Sequence, residues 1–511
     1  MAIKRYLYLW HRWLGIALCL FMALWFVSGV VMLYVGYPKL TPAEHLAHLP
    51  ELPSHDCCVG LEQVLAASGR GEAPTTLRLS SVAGAPRYLL GYADGSNLAV
   101  DAREGRRIAP VDVRQAMASA RQFDGNALAH YQGQVQEDAW SRSRALDSHR
   151  PLHRVQLDDE PGSLLYISSQ TGAVVRDASA TERTWNWLGS WLHWLYPLRD
   201  SPWWAQIVIY LALASTFAAL LGQVVGLLRW RFAKPYRSGS RSPYAGGFAR
   251  WHHIGGLLFG LLLIAWIFSG LMSMRPWHLF DSPQRLATAG YRGAALTASS
   301  DPQAPVETLA RLRQAGFVAS ELHWQIVGGQ VYRVAYDRAG DSRVLPVAEG
   351  AELLAQLPAS TLENAARALQ PGAPVQVEWL DNYDFYYYPR AEQSMYGNQR
   401  KRLPMLRVRF ADPSATWLHL DPYSGALIEQ LDRRQRVERW VFNLLHSWDW
   451  LPLLERPWLR EVLIIIFSLG GLAISVTGIV LGWRRLQRGS GRRRAPRRLK
   501  TPIPIPQGET R

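Results

Sequence analysis

The sequence predicts a membrane protein of the α+β class, built as a bundle of four transmembrane helices that carries two soluble α+β domains. Three observations predict this fold class. Four segments are long and apolar, the excess of positive charge lies in three short segments, and the two halves of the 511-residue chain repeat one another. The predicted order of each half is helix, external domain, helix.

The first helix is predicted at residues 1–36 and the second at 203–230, while the third and fourth are predicted at 251–276 and 459–483. Each contains about 20 apolar residues, the length that a helix needs to cross a hydrocarbon core roughly 30 Å thick. The first apolar stretch is longer than the roughly 7–15 residues of a signal peptide, and no small-residue cleavage site precedes Tyr37. We therefore expect a retained anchor.

Positive charge orients these helices, because basic residues beside membrane spans stay in the cytoplasm. Three short segments hold 19 of the 56 Lys and Arg residues and one of the 41 Asp and Glu residues: 1–12, 229–250 and 484–511. Both termini and the loop 231–250 are therefore expected in the cytoplasm, and the segments 37–202 and 277–458 outside. Topology accounts for the basic tail, so the expected partner is the lipid bilayer and no nucleic acid is expected.

Internal repetition relates the first helix to the third. When the two halves are aligned, His11 falls on His252, and Gly15 falls on Gly256. A duplicated unit that crosses the membrane twice keeps its orientation, so the two halves are expected to be related by an axis along the membrane normal. Equivalent residues then lie at equal depth and face the same axis.

A second, slightly longer shift relates the later parts of the two halves. It places His193 on His446 and Trp230 on Trp483. Within the external domains, residues 163–177 and 416–431 each predict a strand, a turn and a strand. We expect α+β domains in which a helix packs on small antiparallel sheets.

The repeated histidines His11 and His252 are the first candidate site. Histidine is costly inside a bilayer and normally faces the bundle interior with a definite partner. Gly15 and Gly256 lie one turn further along and leave room for a flat ring, and Gly29 falls on the same face of the first helix. Two imidazoles on opposite sides of a planar macrocycle are the axial ligands of bis-histidine haem b.

His193 and His446 form a second repeated pair, on short aromatic segments just before the second and fourth helices. The tryptophans around them suit the membrane interface. A second haem b held by this pair gives a two-haem path across the membrane, with electrons entering inside and leaving outside. The alternative is that all four histidines are interfacial anchors, which duplication copies as faithfully as ligands.

Other candidate residues have simpler interpretations. His253 is an alternative to His252, but Arg12 occupies the equivalent position of the first helix. The aromatic run 381–390 is expected in strand packing, with a surface for a bulky, oxygen-rich ligand as the alternative. Three external histidines are not duplicated and are expected to be structural: His149, His153 and His419.

Several motifs are missing from the sequence. No CxxC motif occurs, which excludes a zinc ribbon and a c-type haem attachment, and the adjacent pair Cys57-Cys58 is either oxidised or free. No phosphate-binding loop with a Walker lysine and no dinucleotide fingerprint is present. The predicted cytoplasmic segments are too short for a flavin or nicotinamide domain. Electrons are therefore expected from a separate donor, either a membrane quinol or a cytoplasmic reductant.

The motifs WHRWLG (10–15) and SG (28–29), and units such as YISSQTGAVV (166–175) and LHLDPYSGALIEQL (418–431), make the chain similar to the PepSY-associated transmembrane helix family. This resemblance covers nearly the whole chain. It implies a bacterial inner-membrane protein with two PepSY-like periplasmic domains. Some members resemble haem-containing reductases of ferric siderophores, which implies an iron substrate and haem b bound by four membrane histidines: His11, His193, His252 and His446.

The expected function is therefore electron transfer by a haem b-containing inner-membrane protein of the ferric siderophore reductase type. It is expected to reduce ferric iron, held in a chelate or siderophore, at the periplasmic face. Ferrous iron binds hard oxygen ligands less strongly than ferric iron, so one electron frees the metal. The rival hypothesis is a cofactor-free regulator whose PepSY-like domains bind a protease, a peptide or an envelope component.

Overall fold

The computed structural model describes residues 2–282, 285–348, 350–397 and 399–493. Of the predicted basic tail 484–511, residues 494–511 lie outside the described residues. The chain forms two units, described separately below. The helical unit consists of Met1–Val27, Ala205–Leu271 and Ile465–Arg511, and the mixed unit consists of Ser28–Trp204 and Met272–Ile464.

The α-helices of the described chain alternate long apolar elements with short ones. In chain order they are α1 (Ala2–Tyr34), α2 (Pro42–Ala47), α3 (Leu61–Ser68), α4 (Val113–Phe123), α5 (Ala180–Trp185), α6 (Ser190–His193), α7 (Trp204–Arg229), α8 (Gly247–Ser273), α9 (Thr288–Arg292), α10 (Pro305–Gln314), α11 (Ala359–Arg367), α12 (Arg433–Glu438), α13 (Leu445–Ser447), α14 (Leu451–Leu454) and α15 (Pro457–Arg493).

Four of these described helices, α1, α7, α8 and α15, are long and apolar enough to cross a membrane. Leu258 and Leu261 of α8 are 72% and 70% exposed, as expected for side chains that face lipid. Two of the helices extend beyond the apolar segments seen in the sequence, since α8 begins at Gly247 and α15 continues to Arg493, whereas α1 and α7 lie within the predicted bounds. Apolar length thus locates a span, and the hydrogen-bonded helix continues past it into polar residues.

The short helices begin where the sequence supplies a capping side chain. At α2 the Thr41 hydroxyl accepts from the Glu44 backbone N–H while the Glu44 carboxylate accepts from the Thr41 N–H, and Pro42 occupies the first turn. This reciprocal arrangement satisfies two of the backbone donors that a helix start leaves unpaired. The same arrangement begins α4, α5 and α12.

The strands form three antiparallel sheets in the described residues, all within the mixed unit. In chain order they are β1 (Thr76–Val82), β2 (Ala85–Gly91), β3 (Asn97–Asp101), β4 (Ala129–Val135), β5 (Leu152–Leu157), β6 (Leu164–Ser168), β7 (Val174–Ala178), β8 (Glu321–Val327), β9 (Gln330–Tyr336), β10 (Ser342–Pro346), β11 (Val375–Leu380), β12 (Met405–Phe410), β13 (Trp417–Leu420) and β14 (Leu427–Leu431).

One sheet joins the two external segments, which the sequence suggested would be separate domains. Its six strands have the order β10-β9-β8-β1-β2-β3. The join is the pairing of β1 with β8, in which Leu79 lies opposite Leu322. Both leucines are fully buried in one core cluster with residues from both segments. The external segments therefore share a sheet and a core because each hairpin leaves one edge strand for the other to pair with.

The other two sheets are four-stranded meanders, β4-β5-β6-β7 and β11-β12-β13-β14. Their registers coincide under the second shift of the sequence, since Arg154 pairs with Tyr166 in the first sheet and Arg407 pairs with His419 in the second. Each sheet changes register at the same place, immediately after Tyr166 or after His419. The two meanders are therefore alike in strand order and in this register shift, and the first has a further shift between Tyr131 and Gly133.

The two three-stranded halves of the shared sheet also correspond to one another. Leu79 of β1 lies opposite Tyr88 of β2, and Trp324 of β8 lies opposite Arg333 of β9. The two hairpins thus have the same register. The difference in residue number between equivalent residues of the two hairpins is not the same as the difference between equivalent residues of the two meanders. The stretch between hairpin and meander therefore differs in length between the two external segments.

A buried ion pair holds α10 and the loop before it against the shared sheet. Arg333 on β9 and Asp301 are both about 1% exposed, and the Arg333 Nε donates to Asp301 Oδ2 at 2.7 Å. The same carboxylate oxygen accepts from Trp324 Nε1 at 2.6 Å, and Arg333 also donates to Thr308 of α10. Every charged atom of the pair is thus engaged, which a buried charge requires.

We expect Asp301→Ala to lower the free energy of unfolding by about 3–5 kcal/mol, because the Arg333 guanidinium would remain buried without its partner. The measurement is chemical unfolding of the detergent-solubilised protein, followed by tryptophan fluorescence. Arg313→Ala is the control, since Arg313 forms an exposed ion pair with Glu51, and its loss should cost less than about 1 kcal/mol. Equal effects of the two substitutions would contradict the assignment.

Candidate functional site

The first pair of histidines meets inside the helical unit. His11 of α1 and His252 of α8 have ring centroids 6.3 Å apart, and their planes are inclined by 35°. The sequence predicted that these two residues face one another, and the structure brings them together. Their role as ligands stays a prediction.

The Nδ1 atoms of both rings point to backbone carbonyls of the neighbouring helices. His11 Nδ1 lies 3.1 Å from the Ala218 oxygen of α7, and His252 Nδ1 lies 3.1 Å from the Ile474 oxygen of α15. The Thr477 hydroxyl also lies 3.1 Å from His252 Nδ1. A carbonyl oxygen only accepts hydrogen bonds, so Nδ1 carries the proton in each ring. In the neutral ring Nε2 then keeps its lone pair and is the nitrogen that can bind a metal ion.

Two glycines of the neighbouring helices make room for the imidazole rings, while the clearance predicted at Gly15 and Gly256 for a bound macrocycle stays a prediction. A Cβ atom on Gly222 of α7 would lie 2.6 Å from His11 Cε1, and one on Gly478 of α15 would lie 3.4 Å from His252 Cε1. By contrast, a Cβ on Gly256 would meet no atom within 4 Å. Gly222 and Gly478 were missed, although GxxxG spacing marks close helix approach in both spans.

The glycine contacts correct the predicted alignment of the second and fourth spans. In these contacts Gly222 of α7 corresponds to Gly478 of α15. The alignment that places Trp230 on Trp483 would instead place Gly222 on Ser475. That alignment is therefore wrong for α7 and α15, and the contacts are displaced from it by about one helical turn.

The second pair of histidines meets inside the mixed unit. His193, the last residue of α6, and His446 of α13 have ring centroids 6.0 Å apart and an interplanar angle of 66°. His193 Nδ1 lies 3.0 Å from the hydroxyl of Ser28, which is fully buried. A Cβ on Gly29 would lie 3.7 Å from His193 Cε1. Gly29 thus packs against His193, whereas the sequence placed it on the face of His11.

The ring separations match those of two imidazoles bound to one metal ion. Bonds between a metal ion and an imidazole nitrogen are about 2.0–2.1 Å long. Ring bonds of about 1.33 Å place each centroid about 1.1 Å behind its nitrogen. Two opposed imidazoles on a shared metal ion thus have centroids about 6.3 Å apart, close to both observed values. Among the described residues no group of three or more His, Cys, Asp and Glu side chains is arranged for a metal ion.

The adjacent His253 makes two hydrogen bonds of its own in the helical unit. Its Nδ1 lies 2.8 Å from the Ser242 hydroxyl, and its Nε2 lies 2.9 Å from the Gly226 oxygen. Both ring nitrogens are therefore engaged by protein, and the alternative ligand role for His253 is wrong. Its function is to fasten the loop between α7 and α8 to the bundle.

The three external histidines have protein partners, as a structural role requires. His149 Nδ1 lies 3.1 Å from the Ser168 hydroxyl, and His153 Nε2 lies 2.9 Å from the Val111 oxygen. His419 accepts from the Arg407 Nε at 2.9 Å. Burial, followed by the positive charge of Arg78, lowers the pKa of His149 to about 4.

The aromatic run 381–390 is a loop, so the expectation of strand packing there is wrong. Tyr387 and Tyr388 are nonetheless buried, and the Tyr388 hydroxyl donates to Asp449 at 2.9 Å. Arg390 forms an ion pair with the same fully buried carboxylate. Proline and the capping carboxylate Asp384 favour this irregular backbone over a ladder of strand hydrogen bonds.

The adjacent cysteines Cys57 and Cys58, which the sequence left open, form a disulfide. Cys58 is buried in the core cluster of the shared sheet, and Cys57 packs against that cluster.

Comparison with known proteins adds one match. The family model described as the PepSY-associated TM region matches residues 8–370. The matched range includes His11, His193 and His252, and His446 lies beyond it. No curated protein matches the chain.

We expect Gly222→Ala to lower the midpoint of thermal unfolding in detergent, because the new methyl group must displace the His11 ring. Overpacking costs about 1–3 kcal/mol, which exceeds the gain of about 1 kcal/mol from replacing a helical glycine. Gly255→Ala is the control, since its Cβ would meet Ile474 at an ordinary 3.5 Å. An unchanged midpoint in Gly222→Ala would show that the ring is not held against α7.

A second expectation concerns pH. His149 has a pKa of about 4 when folded and about 6.5 when unfolded, so the unfolded chain binds more protons between these values. The free energy of unfolding therefore falls as pH decreases from 6.5 to 4, by up to about 1.4 kcal/mol per unit. His149→Gln should flatten this dependence, whereas substitution of the exposed His55 by Gln should not. Parallel pH curves for wild type and His149→Gln would contradict the inference.

Proposed function

Because the chain belongs to the PepSY-associated transmembrane family, whose members are membrane proteins, we propose that it is a haem b-containing electron-transfer protein. In this proposal it sits in a bacterial inner membrane and passes electrons to ferric iron, held in a chelate such as a siderophore, at the periplasmic face. The observation that carries the proposal is the meeting of the His11 and His252 rings, whose centroid separation fits a metal ion between them.

The donor set fits the iron of haem b. His11 and His252 would hold one haem, and His193 and His446 would hold a second, each through Nε2. We call His11 and His252 the inner pair and His193 and His446 the outer pair. In the inner pair, the Nδ1 hydrogen bonds to carbonyls hold each ring in the tautomer whose Nε2 can bind iron. Metal-binding histidines generally make such a hydrogen bond through their other ring nitrogen. Space for the ring is supported by Gly256, beside which no atom lies within 4 Å of an added Cβ. Bound haem supplies one-electron chemistry through its iron.

Tandem duplication is part of the proposal. It is supported by the two four-stranded sheets, whose registers coincide at equivalent residues. It is also supported by the helical unit, where Gly222 lies beside His11 Cε1 and Gly478 lies beside His252 Cε1. Two PepSY-like periplasmic domains, fused through the pairing of β1 with β8, would be the two copies of the external segment.

Charge supports the orientation of the protein. The loop between α7 and α8 is basic, and the basic end of α15 leads into the tail 484–511. By the positive-inside rule we place both in the cytoplasm and the three sheets in the periplasm. The inner histidine pair would then receive electrons from a membrane quinol or a cytoplasmic reductant. The outer pair would deliver one electron to each ferric ion, and the ferrous product leaves its oxygen ligands.

We expect the purified protein to be red, with a Soret band and reduced α-bands, and to contain two haems b by pyridine haemochrome analysis. His11→Ala or His252→Ala should each remove one of the two haems, because one axial nitrogen is lost. His193→Ala or His446→Ala should each remove the other. His253→Gln is the matched control beside His252 and should keep both haems, since both nitrogens of His253 bond to protein.

A colourless protein that takes up no haem when supplied with it would sink the proposal and favour a cofactor-free membrane regulator. Unchanged haem content in both His11→Ala and His252→Ala would remove the inner pair as ligands. If the protein contains haem but reduces no ferric chelate when a quinol or a chemical donor supplies electrons, the proposed cofactor stands and the proposed substrate is wrong.

A further inference from the structure

Ser28 is a polar side chain inside an otherwise apolar helix. It lies in α1 and is fully buried, and its Oγ is 3.0 Å from His193 Nδ1. The next residue, Gly29, lets the His193 ring approach the helix, with Cε1 at 3.7 Å from an added Cβ. Serine followed by glycine therefore gives α1 both a hydroxyl that hydrogen-bonds one imidazole of the outer pair and the clearance for that ring.

The inner pair has a different acceptor. His11 and His252 each place Nδ1 at 3.1 Å from a peptide carbonyl, of Ala218 and Ile474 respectively, and His252 Nδ1 also lies 3.1 Å from the Thr477 hydroxyl. A peptide carbonyl is a stronger hydrogen-bond acceptor than an aliphatic hydroxyl. The inner imidazoles therefore have more imidazolate character than His193, provided that Nε2 binds metal in both pairs.

We propose, on the basis of the proposed function, that Ser28 is a positioning residue that orients His193 and makes the outer haem easier to reduce than the inner one. Electrons then pass downhill from the inner pair to the outer pair. The chemical difference lies at the Nδ1 proton, which meets the Ser28 hydroxyl at His193 and a peptide carbonyl at both inner ligands, with the Thr477 hydroxyl in addition at His252.

The physical reason is the electron density at the axial nitrogen. A strong acceptor on Nδ1–H makes the imidazole a better donor, which stabilises ferric iron and lowers the potential. A weaker acceptor stabilises ferric iron less and therefore raises the reduction potential of the haem. Removing the acceptor altogether should raise the potential further.

The simpler role for a buried serine is helix packing, and the helical unit offers a comparison. Ser215 of α7 is also fully buried, and within the described part of the chain its hydroxyl has no hydrogen-bond partner. Substitution of Ser215 by alanine therefore removes the same atom from a similar apolar environment without affecting an imidazole. It is the matched control for Ser28.

The experiment is a spectroscopic redox titration of the full-length protein in detergent, combined with haem quantitation. The His11→Ala variant reports the outer haem alone, and the His193→Ala variant reports the inner haem alone. We expect a higher midpoint potential in His11→Ala than in His193→Ala. Ser28→Ala in the His11→Ala background should change the ferric-to-ferrous ratio at fixed potential about tenfold, a shift of about 59 mV towards higher potential.

The remaining variants separate tuning from packing. Ser28→Thr keeps the hydroxyl and should restore the midpoint in the His11→Ala background. Ser28→Ala in the His193→Ala background, and Ser215→Ala in either, should leave the midpoint unchanged. If Ser28→Ala loses the outer haem, Ser28→Thr must retain it with the original midpoint, or the proposal fails.

The failures are distinguishable. A protein that binds no haem overturns the proposed function, and this inference with it. A protein that binds two haems while Ser28→Ala leaves the outer midpoint unmoved overturns the inference alone. An outer midpoint below the inner one would likewise reject the role of Ser28 in directing electrons.

Discussion

The need of each membrane imidazole for a hydrogen-bond acceptor organises the helical unit. A ring N–H inside a bilayer has no water to bond, and leaving it unpaired is costly. Ala218 and Ile474 supply carbonyls, and Gly222 and Gly478 follow them by one helical turn. The carbonyl that accepts the ring proton and the glycine that leaves room for the ring therefore lie on one face of α7 and on one face of α15. With Nδ1 of each ring bonded to a carbonyl, Nε2 is the nitrogen that remains to bind a metal ion.

In the mixed unit, strand pairing determines where the outer histidines lie. Each four-stranded sheet ends in a strand, β7 or β14, that is followed by short helices carrying His193 or His446. Because the two sheets have the same register, equivalent side chains leave them at equivalent positions. The pairing of β1 with β8 joins the external segments in one sheet. The outer pair thus depends on the same repetition that relates the two sheets.

In the proposed chemistry, the chain supplies the haem ligands, and other molecules supply the electrons and the ferric iron. The described residues supply two pairs of imidazoles, with Nδ1 hydrogen-bond partners at His11, His252 and His193, while the proposed electron donor and ferric chelate come from outside. Buried charge is used elsewhere for structure, as in the pair Arg333–Asp301. In the proposal, the hydroxyl beside His193 and the carbonyls beside His11 and His252 give the two pairs the difference that directional electron transfer needs.

The sequence by itself determined the four apolar helices, the α+β class and the four repeated histidines, because hydrophobic length, strand periodicity and repetition are local or can be counted along the chain. Only the tertiary structure decided that the external segments share a sheet through Leu79 and Leu322, since an unpaired edge strand does not reveal its partner. It also decided that Gly222 and Ser28 contact the imidazoles, and that Gly29 serves His193. Such contacts join residues far apart in sequence, and helix packing, which no single-helix pattern records, brings them together.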